Sequence, residues 1–384
     1  MSGDMRRALA DLTCRVLQAM LPRALQPWGW AVRAETAAIA DPGEALGFAL
    51  DSLLGLAPRI LISHLLAPLP LNAAGDTIVM RLLHLALERP RILGIACATG
   101  AVALGLFYLQ LAGAPARYLL SNVAALGIGV LLLATLGRIA KDGERQGLAV
   151  TAMALALLAT GLFGTAIEGA TRWASLGGLS VQPSLLLLPL MVALFARRRD
   201  TLTTAALVIA GLGIAVQRDA AMAAALAASL AVLAALAPER RVLLALGTAI
   251  AGLVATLARA DTVPAVPYVD GIIGSAFAVD AMSGVAVLGG LALLLVPGIT
   301  GWRHPAERAT HAVFGAMWVT IIAAAAIADY PTPVVGYGGS AIIGYLLALL
   351  ALPSRMSVPA DAGTRASDTA DARGIEAPLL IGIA

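Results

Sequence analysis

The amino-acid sequence predicts an all-α, polytopic membrane protein with about ten transmembrane helices. Of its 384 residues, 60% are hydrophobic and only 13% are charged, whereas a soluble domain carries about 25% charged residues. Apolar segments recur from Arg91 to Leu352, and most approach the ~20 residues that a helix needs to cross a bilayer core. The net charge is only +3, and the basic residues lie in short clusters between these segments. This pattern excludes nucleic acid as a partner, since its binding needs a basic patch or stripe.

The first 90 residues have a different pattern, and we interpret residues 1–90 as an N-terminal cytoplasmic or membrane-surface helical region. Charges interrupt the opening segment too often for the apolar core of a signal peptide. Apolar residues recur there at helical spacing and form an amphipathic stripe, namely Leu9, Leu12, Val16, Leu17, Met20 and Leu21. Asp41, Pro42 and Glu44 then form the pattern of a helix N-terminus, with Asp41 as the N-cap.

Ten apolar segments after residue 90 have the composition of membrane spans. They cover Ile92–Gly113, Tyr118–Leu136, Leu148–Ile167, Gln182–Ala196, Thr201–Val216, Ala220–Leu236, Val242–Leu257, Met282–Ile299, Ala309–Ala328 and Gly339–Leu352. We therefore expect residues 91–353 to form one transmembrane domain.

The loops between the predicted spans alternate in basic content. Arg and Lys concentrate in every second loop, as in "GRIAKDGERQ", "FARRRD" and "GWRHPAER", and the positive-inside rule places these loops in the cytoplasm. Both termini are then cytoplasmic. Residues 354–384 are rich in Ala, Asp and Ser without periodicity, and they are expected to form a flexible cytoplasmic tail.

Arg172 falls on the outer side, where the positive-inside rule gives no reason for a basic residue. Glu168 precedes it by four residues, so the two would form an ion pair at the rim if the third helix continued that far. Trp173 fits an anchor at the membrane surface. The sequence Gln182-Pro183-Ser184 fits the start of the fourth span.

Two further outer segments are candidates for chemistry. Asp270 follows "PAVPYV" and is either a solvated loop acid or a functional carboxylate. The segment "VGYGGS" before the last span forms either a simple turn or a set of backbone amides that approach an anion such as diphosphate. The four histidines do not have the spacing of metal ligands, so no metal site is predicted.

In their order along the chain, these segments resemble the SEDS family (shape, elongation, division and sporulation), the family of RodA and FtsW. That family has ten spans, with Gly-Ala-x-Arg-Trp, Leu-Gly and Gln-Pro-Ser-Glu after the third; here they match Gly169-Ala170-Thr171-Arg172-Trp173, Leu176-Gly177 and Gln182-Pro183-Ser184. The family continues with a Gln-Pro-Asp hairpin, an acid-bearing outer loop and Ser-Tyr-Gly-Gly-Ser at the last span. The matching positions are Gln217-Arg218-Asp219, Asp270 and Gly336-Tyr337-Gly338-Gly339-Ser340.

The resemblance implies a protein of the bacterial inner membrane that acts on or binds lipid-linked peptidoglycan precursor in wall synthesis, cell shape or division. It implies that Asp270 is the catalytic residue of a peptidoglycan glycosyltransferase and that a transpeptidase or another wall-synthesis membrane protein is a partner. It names no cofactor. The candidate residues for binding the lipid-linked disaccharide precursor are Arg172, Trp173, Gln182, Ser184, Asp219, Tyr337, Gly338, Gly339 and Ser340.

Several positions depart from the family pattern. Leu185 stands in place of Glu, Leu188 in place of Lys, and Arg218 in place of the hairpin Pro. The long amphipathic loop before the acid is reduced to "ARADTVPAVPYV". Three functions therefore stay open, namely a divergent glycosyltransferase, a non-catalytic scaffold that binds precursor, and a transporter of lipid-linked sugar. The lost Glu, Lys and loop favour the scaffold over the enzyme.

Overall fold

The computed structural model describes residues 3–22, 25–66, 88–137, 143–259, 261–301 and 304–355. Within these residues the chain forms fourteen α-helices and one three-stranded antiparallel sheet. The prediction of an all-α fold is confirmed. Apart from its first two residues, the predicted tail at 354–384 lies outside the described residues.

The N-terminal region forms a unit of three helices, α1 (Gly3–Met20), α2 (Gln26–Ala38) and α3 (Pro42–Leu66). Asp41 caps α3 as predicted, because its Oδ2 accepts hydrogen bonds from the backbone N–H groups of Gly43 and Glu44. Only part of the predicted amphipathic stripe of α1 is buried. Leu17 and Leu21 are buried in the core of the unit, and the exposed members are Leu9, Leu12, Val16 and Met20. The unit contacts the helical bundle through α3.

Helices occupy all ten positions predicted as spans. They are α4 (Pro90–Leu111), α5 (Ala116–Leu136), α6 (Gly143–Phe163), α7 (Pro183–Arg197), α8 (Thr201–Gln217), α9 (Ala220–Leu236), α10 (Arg240–Leu257), α12 (Ala281–Thr300), α13 (Arg308–Ile327) and α14 (Gly339–Ala348). A short helix that the sequence did not predict, α11 (Ile272–Val279), lies directly before α12. A 3-10 turn at Leu349–Ala351 extends α14.

Six of the described helices are long and apolar enough to cross a membrane, namely α4, α5, α6, α10, α12 and α13. Of the ten helices at predicted span positions, the remaining four, α7, α8, α9 and α14, are apolar but shorter. Large apolar side chains point outward from α5 and α10, such as Leu120, which is 69% exposed, and Leu257, which is 67% exposed. An apolar exterior of this kind is typical of helical proteins that are surrounded by lipid.

The centre of the bundle is α7, which is buried along most of its length and packs against α6, α13 and α14. Helix α14 approaches it closely at Gly344, where an added Cβ would lie 2.1 Å from the carbonyl oxygen of Leu185. Helix α8 begins with a complete capping box between Asp200 and Thr203. At the opposite end of α8, hydrogen bonds from Gln182 to Asp219 and Ser340 join the starts of α7, α9 and α14 at one end of the bundle.

The sheet at that same end corrects the prediction for the third span. Helix α6 ends at Phe163, and the chain continues as β1 (Thr165–Ile167), β2 (Ala170–Leu176) and β3 (Leu179–Val181), so the expected helix up to Ile167 is wrong. Both hairpin turns have two residues with positive φ, at Glu168-Gly169 and at Gly177-Gly178. Such turns match the twist of paired strands and favour glycine.

Candidate functional site

Asp219 is the centre of a buried polar cluster at the strand-bearing end of the bundle. It caps α9, because its Oδ1 accepts from the N–H of Met222 at 3.1 Å. Its Oδ2 accepts from Nε2 of Gln182 at 2.9 Å and from Oγ of Ser184 at 3.1 Å. Asp219 and Ser184 are fully buried, and Gln182 is nearly so. Three residues predicted from the sequence are therefore in direct contact, each satisfying a polar group of another.

Ser340 joins this cluster to the glycine-rich turn before α14. Its Oγ accepts a hydrogen bond from the backbone N–H of Gln182 at 3.0 Å. The turn itself is held by Asn122, a fully buried side chain of α5 that donates to the carbonyl of Gly336 at 2.8 Å and accepts from the N–H of Gly338 at 3.3 Å. Because Gly338 already donates to Asn122, its amide is not directed at open space.

Tyr337 belongs to a group of three half-buried tyrosines. Its ring stacks on that of Tyr118 with a centroid separation of 3.9 Å, and Tyr118 meets Tyr268 edge-on at 6.0 Å. The backbone N–H of Tyr337 donates to the carbonyl of Tyr268 at 2.7 Å. This bond attaches the glycine-rich turn to the loop that carries Asp270.

Arg172 lies in β2 and is only 3% exposed. Its Nη2 donates to the carbonyl oxygen of Arg218 at 2.7 Å and to the carboxylate of Asp261, and its guanidinium lies 5.4 Å from the ring centroid of Tyr330. The predicted ion pair between Arg172 and Glu168 is wrong. The helix that would have aligned them ends at Phe163, and Asp261 takes the place of the acid.

Electrostatics favour the charged form of this pair. Burial opposes the charge on Arg172, but the carboxylates of Asp219 and Asp261 outweigh that cost and raise its pKa. Burial also opposes ionisation of Asp261, yet hydrogen bonds from Arg172 and Tyr330 prevail and lower its pKa. The hydroxyl of Tyr330 donates to Oδ2 of Asp261 at 2.8 Å, and burial together with this acceptor raises the pKa of Tyr330. The three residues therefore form a fixed, charge-assisted network.

Trp173, the neighbour of Arg172, is half-buried in β2 and pairs across the hairpin with Thr165. Its ring centroid lies 5.9 Å from the guanidinium of Arg172, within the range of a cation–π contact. Trp173 therefore supports the arginine from the sheet.

Asp270 differs from Asp219 and Asp261, because only one of its two carboxylate oxygens accepts a hydrogen bond. Oδ2 accepts from the N–H of Val266 at 2.7 Å, whereas Oδ1 is buried and has no hydrogen-bond partner among the described residues. Burial raises the pKa of this carboxyl, and the nearby charge of Asp329 raises it further, against opposing effects of the Val266 N–H and Arg172. A partly buried carboxyl of raised pKa with a spare oxygen is able to accept a proton.

The segment at residues 329–332 links Asp270 to the arginine network. Asp270 forms an isolated antiparallel bridge with Pro331, and the N–H of Thr332 donates to the carbonyl of Val269 at 2.9 Å. Tyr330, whose hydroxyl donates to Asp261, directly precedes Pro331. Like Oδ1 of Asp270, the Oγ1 of Thr332 and the Nε of Arg172 are buried polar atoms without a hydrogen-bond partner among the described residues.

The structure thus brings Gln182, Ser184, Asp219 and Ser340 into one hydrogen-bonded network. Arg172 lies beside it, bonded to the carbonyl of Arg218, the residue before Asp219, and the Asp270 loop joins through the bridge to Pro331. Sequence reasoning missed three residues that hold this network together, namely Asn122, Asp261 and Tyr330. A lone amide inside an apolar span was the available signal for Asn122. No local pattern connects Asp261 or Tyr330 to Arg172.

A cavity of about 280 Å³ opens beside this network. Its polar and charged lining residues are Asp261, Tyr330, Glu168, Thr256, Thr262, Arg218 and Arg259. Asp270 is not among the residues that line it. In the part of the chain that the structure describes, no group of three His, Cys, Asp or Glu side chains is arranged to hold a metal ion.

No family model, no curated protein and no solved structure matches this chain.

Proposed function

We propose that this chain is a divergent RodA/FtsW-like protein of the bacterial inner membrane that binds lipid-linked peptidoglycan precursor, with Asp270 as the residue that accepts a proton during glycan polymerisation. In this proposal all ten helices span the membrane, and the Asp219 cluster and the Asp270 loop face outward. The sequence motifs support the family assignment, and the site geometry supports the roles.

The observation that carries the proposal is the buried Oδ1 of Asp270, which has no hydrogen-bond partner among the described residues. A general base needs an acceptor that is not already used by the protein, and a pKa raised above that of an exposed acid. Asp270 meets both conditions, since only Oδ2 is bonded and burial raises its pKa. Deprotonation of a sugar hydroxyl would make it a nucleophile for the next sugar, and the lipid diphosphate would leave.

The neighbouring residues have positioning roles. Tyr337 and Tyr268 lie on either side of the backbone bond that fixes the Asp270 loop, and their rings offer amphipathic surfaces to a sugar. Gln182, Ser184, Asp219 and Ser340 keep α7, α9 and α14 together. Arg172 acts on Asp270 through its charge.

The test is a gel assay of glycan products made from labelled lipid-linked precursor by purified, reconstituted protein. We expect polymer from the wild type and about a 100-fold or greater loss in Asp270→Asn, which keeps the shape and removes the base. Precursor binding should persist in the variant. Equal polymer from both proteins would end the role of Asp270.

Asp280→Asn is the matched control. Asp280 is an exposed acid that caps α12 through the N–H of Met282 at 2.8 Å, and asparagine caps helices as well as aspartate does. The same chemical change ten residues away should leave polymer synthesis within about twofold of the wild type. A loss equal to that in Asp270→Asn would mean that the defect is in folding.

A second candidate function is a non-catalytic scaffold that binds precursor for a transpeptidase or another wall enzyme. One observation favours it: Arg172, the cation expected to contact the diphosphate, is buried and already bonded to Asp261 and the Arg218 carbonyl. An enzyme needs such charge free at the leaving group. Absence of polymer from wild-type protein that binds precursor would support the scaffold.

A further inference from the structure

Two arginines without partners line the 280 Å³ cavity beside the site. Neither the guanidinium of Arg218 nor that of Arg259 has a hydrogen bond or ion pair within the described residues. Both are exposed, and both line the same cavity. The hydrogen bonds made by Arg172 do not involve their side chains.

The backbone directs Arg218 into this position. It ends α8 with φ of 57°, a left-handed conformation that glycine usually adopts at helix ends. Its Nη1 lies 2.8 Å from where a Cβ on Gly169 would be, so the absence of a side chain at Gly169 makes room for the guanidinium. Gly169 itself has φ of 77° in the β1–β2 turn.

The cavity lies at the end of a candidate membrane span. Thr256 and Leu257 line it and are the last residues of α10. Exposed apolar side chains follow one face of α10 up to this point at helical spacing, namely Leu243, Ile250, Val254 and Leu257. An apolar stripe that leads to a cationic cavity fits a ligand with acyl chains and a charged head.

We propose that this cavity is a binding site for a phosphate group, with Arg218 and Arg259 as its ligands, and that a membrane phospholipid supplies the phosphate. Guanidinium groups bind phosphate through paired N–H donors, and one phosphate has enough oxygens for two of them. The cavity is close to the lower end of the ~300–1,000 Å³ range of small-molecule pockets, which suits a head group while the chains lie along α10. A free phosphate ion shares this chemistry, and the experiment separates the two sources.

The other charges of the cavity modulate the site. The charge of Asp261 is neutralised by Arg172, and the hydroxyl of Tyr330 donates a hydrogen bond to it. Glu168 has no ion-pair partner in the described part of the chain, so its carboxylate opposes an anionic head group. Its removal should tighten binding, an effect opposite in sign to that of removing either arginine.

The test is native mass spectrometry of the full-length protein in detergent, titrated with short-chain phosphatidylglycerol. We expect Arg218→Gln and Arg259→Gln each to weaken binding by about tenfold, the loss of one charge-assisted contact. Glu168→Gln should tighten it by roughly twofold. Diacylglycerol with the same chains but no phosphate should bind at least about tenfold more weakly than the phospholipid.

Arg240→Gln is the matched control, because Arg240 is an exposed arginine at the opposite end of α10. It should bind phosphatidylglycerol as the wild type does. Equal weakening in Arg240→Gln, or wild-type binding by both Arg218→Gln and Arg259→Gln, would overturn the site. Displacement of the lipid by an equal concentration of inorganic phosphate would overturn the phospholipid as the source.

Discussion

Gln182 donates a hydrogen bond from Nε2 to Oδ2 of Asp219 at 2.9 Å, and both side chains are buried. The bond joins the start of α7 to the start of α9. Since Ser184 and the N–H of Met222 use the same carboxylate, one acid satisfies three donors from two helices. The first prediction follows from this dependence.

Asp219→Ala should lower the free energy of unfolding by about 2–4 kcal/mol, because it leaves three buried donors without an acceptor. Asp280→Ala removes an exposed cap with a single bond to Met282, and it should cost about 1 kcal/mol. Unfolding in mixed micelles measures both. Equal losses would show that Asp219 is only a helix cap.

Asn122→Ala should loosen the glycine-rich turn. The N–H of Gly338 loses its acceptor and the carbonyl of Gly336 loses its donor, so local opening costs less free energy. Hydrogen exchange of the amide of Gly338 should accelerate by about tenfold. Ser121→Ala, an exposed neighbour bonded only to its own helix, should leave that exchange rate unchanged, and an equal acceleration there would contradict the role of Asn122.

Gly344→Ala should disrupt the contact between α7 and α14, because the added Cβ would lie 2.1 Å from the carbonyl oxygen of Leu185. We expect a loss of about 3 kcal/mol or more from forced backbone movement. Gly127→Ala, in exposed α5 with no atom within 4 Å of the new Cβ, should instead stabilise by about 0.5–1 kcal/mol. Thermal unfolding of the two variants shows whether each one is less or more stable than the wild type. A Gly344→Ala variant more stable than the wild type would refute this packing.

Asp261 should make stability depend on pH. Its pKa is lowered in the folded state, so its contribution is full above the unfolded pKa of about 3.9 and is lost as pH falls through the folded pKa. Asp261→Asn should therefore be less stable than the wild type at pH 7, with the difference shrinking at pH 3. A constant difference across this range would exclude the ionised pair with Arg172.

Asp270 should contribute to the pH dependence of stability with the sign opposite to that of Asp261. Its pKa is raised by burial, so its protonated form stabilises the fold below pH 4, and this contribution falls as pH rises through the folded pKa. Asp270→Asn, which mimics the neutral form, should raise the unfolding midpoint at pH 7 and leave it unchanged at pH 3. A lower midpoint at pH 7 would mean that the carboxylate is satisfied.

The helices could be predicted from the sequence because each one is encoded by a single continuous apolar segment of nearly membrane length. Helix α9 begins and ends at the predicted residues, Ala220–Leu236. The same reasoning failed after Phe163, where an apolar helix gives way to strands. The Gly177-Gly178 pair is typical of a hairpin turn, and reasoning from apolar composition alone overlooks it.

The candidate site could be predicted only in part. Its helix-start residues, such as Ser184 and Asp219, lie in recognisable patterns before apolar runs. Asp261 depends on a partner 89 residues away, and such a pairing is set by how the helices pack. Arg172 was noticed because topology did not explain it, but its burial became visible only in three dimensions.

The hydrogen bond from the N–H of Gln182 to Oγ of Ser340 spans 158 residues of chain. A ribosome that adds ~5–20 residues per second reaches Ser340 about 8–30 s after Gln182. Within that interval α7 and α9 are completed well before Ser340 is reached, and until then the cluster between them lacks its partner from α14. A message cut short before α14 would therefore yield a chain in which Gln182 lacks the hydroxyl of Ser340, so the order of synthesis sets when the cluster can be completed.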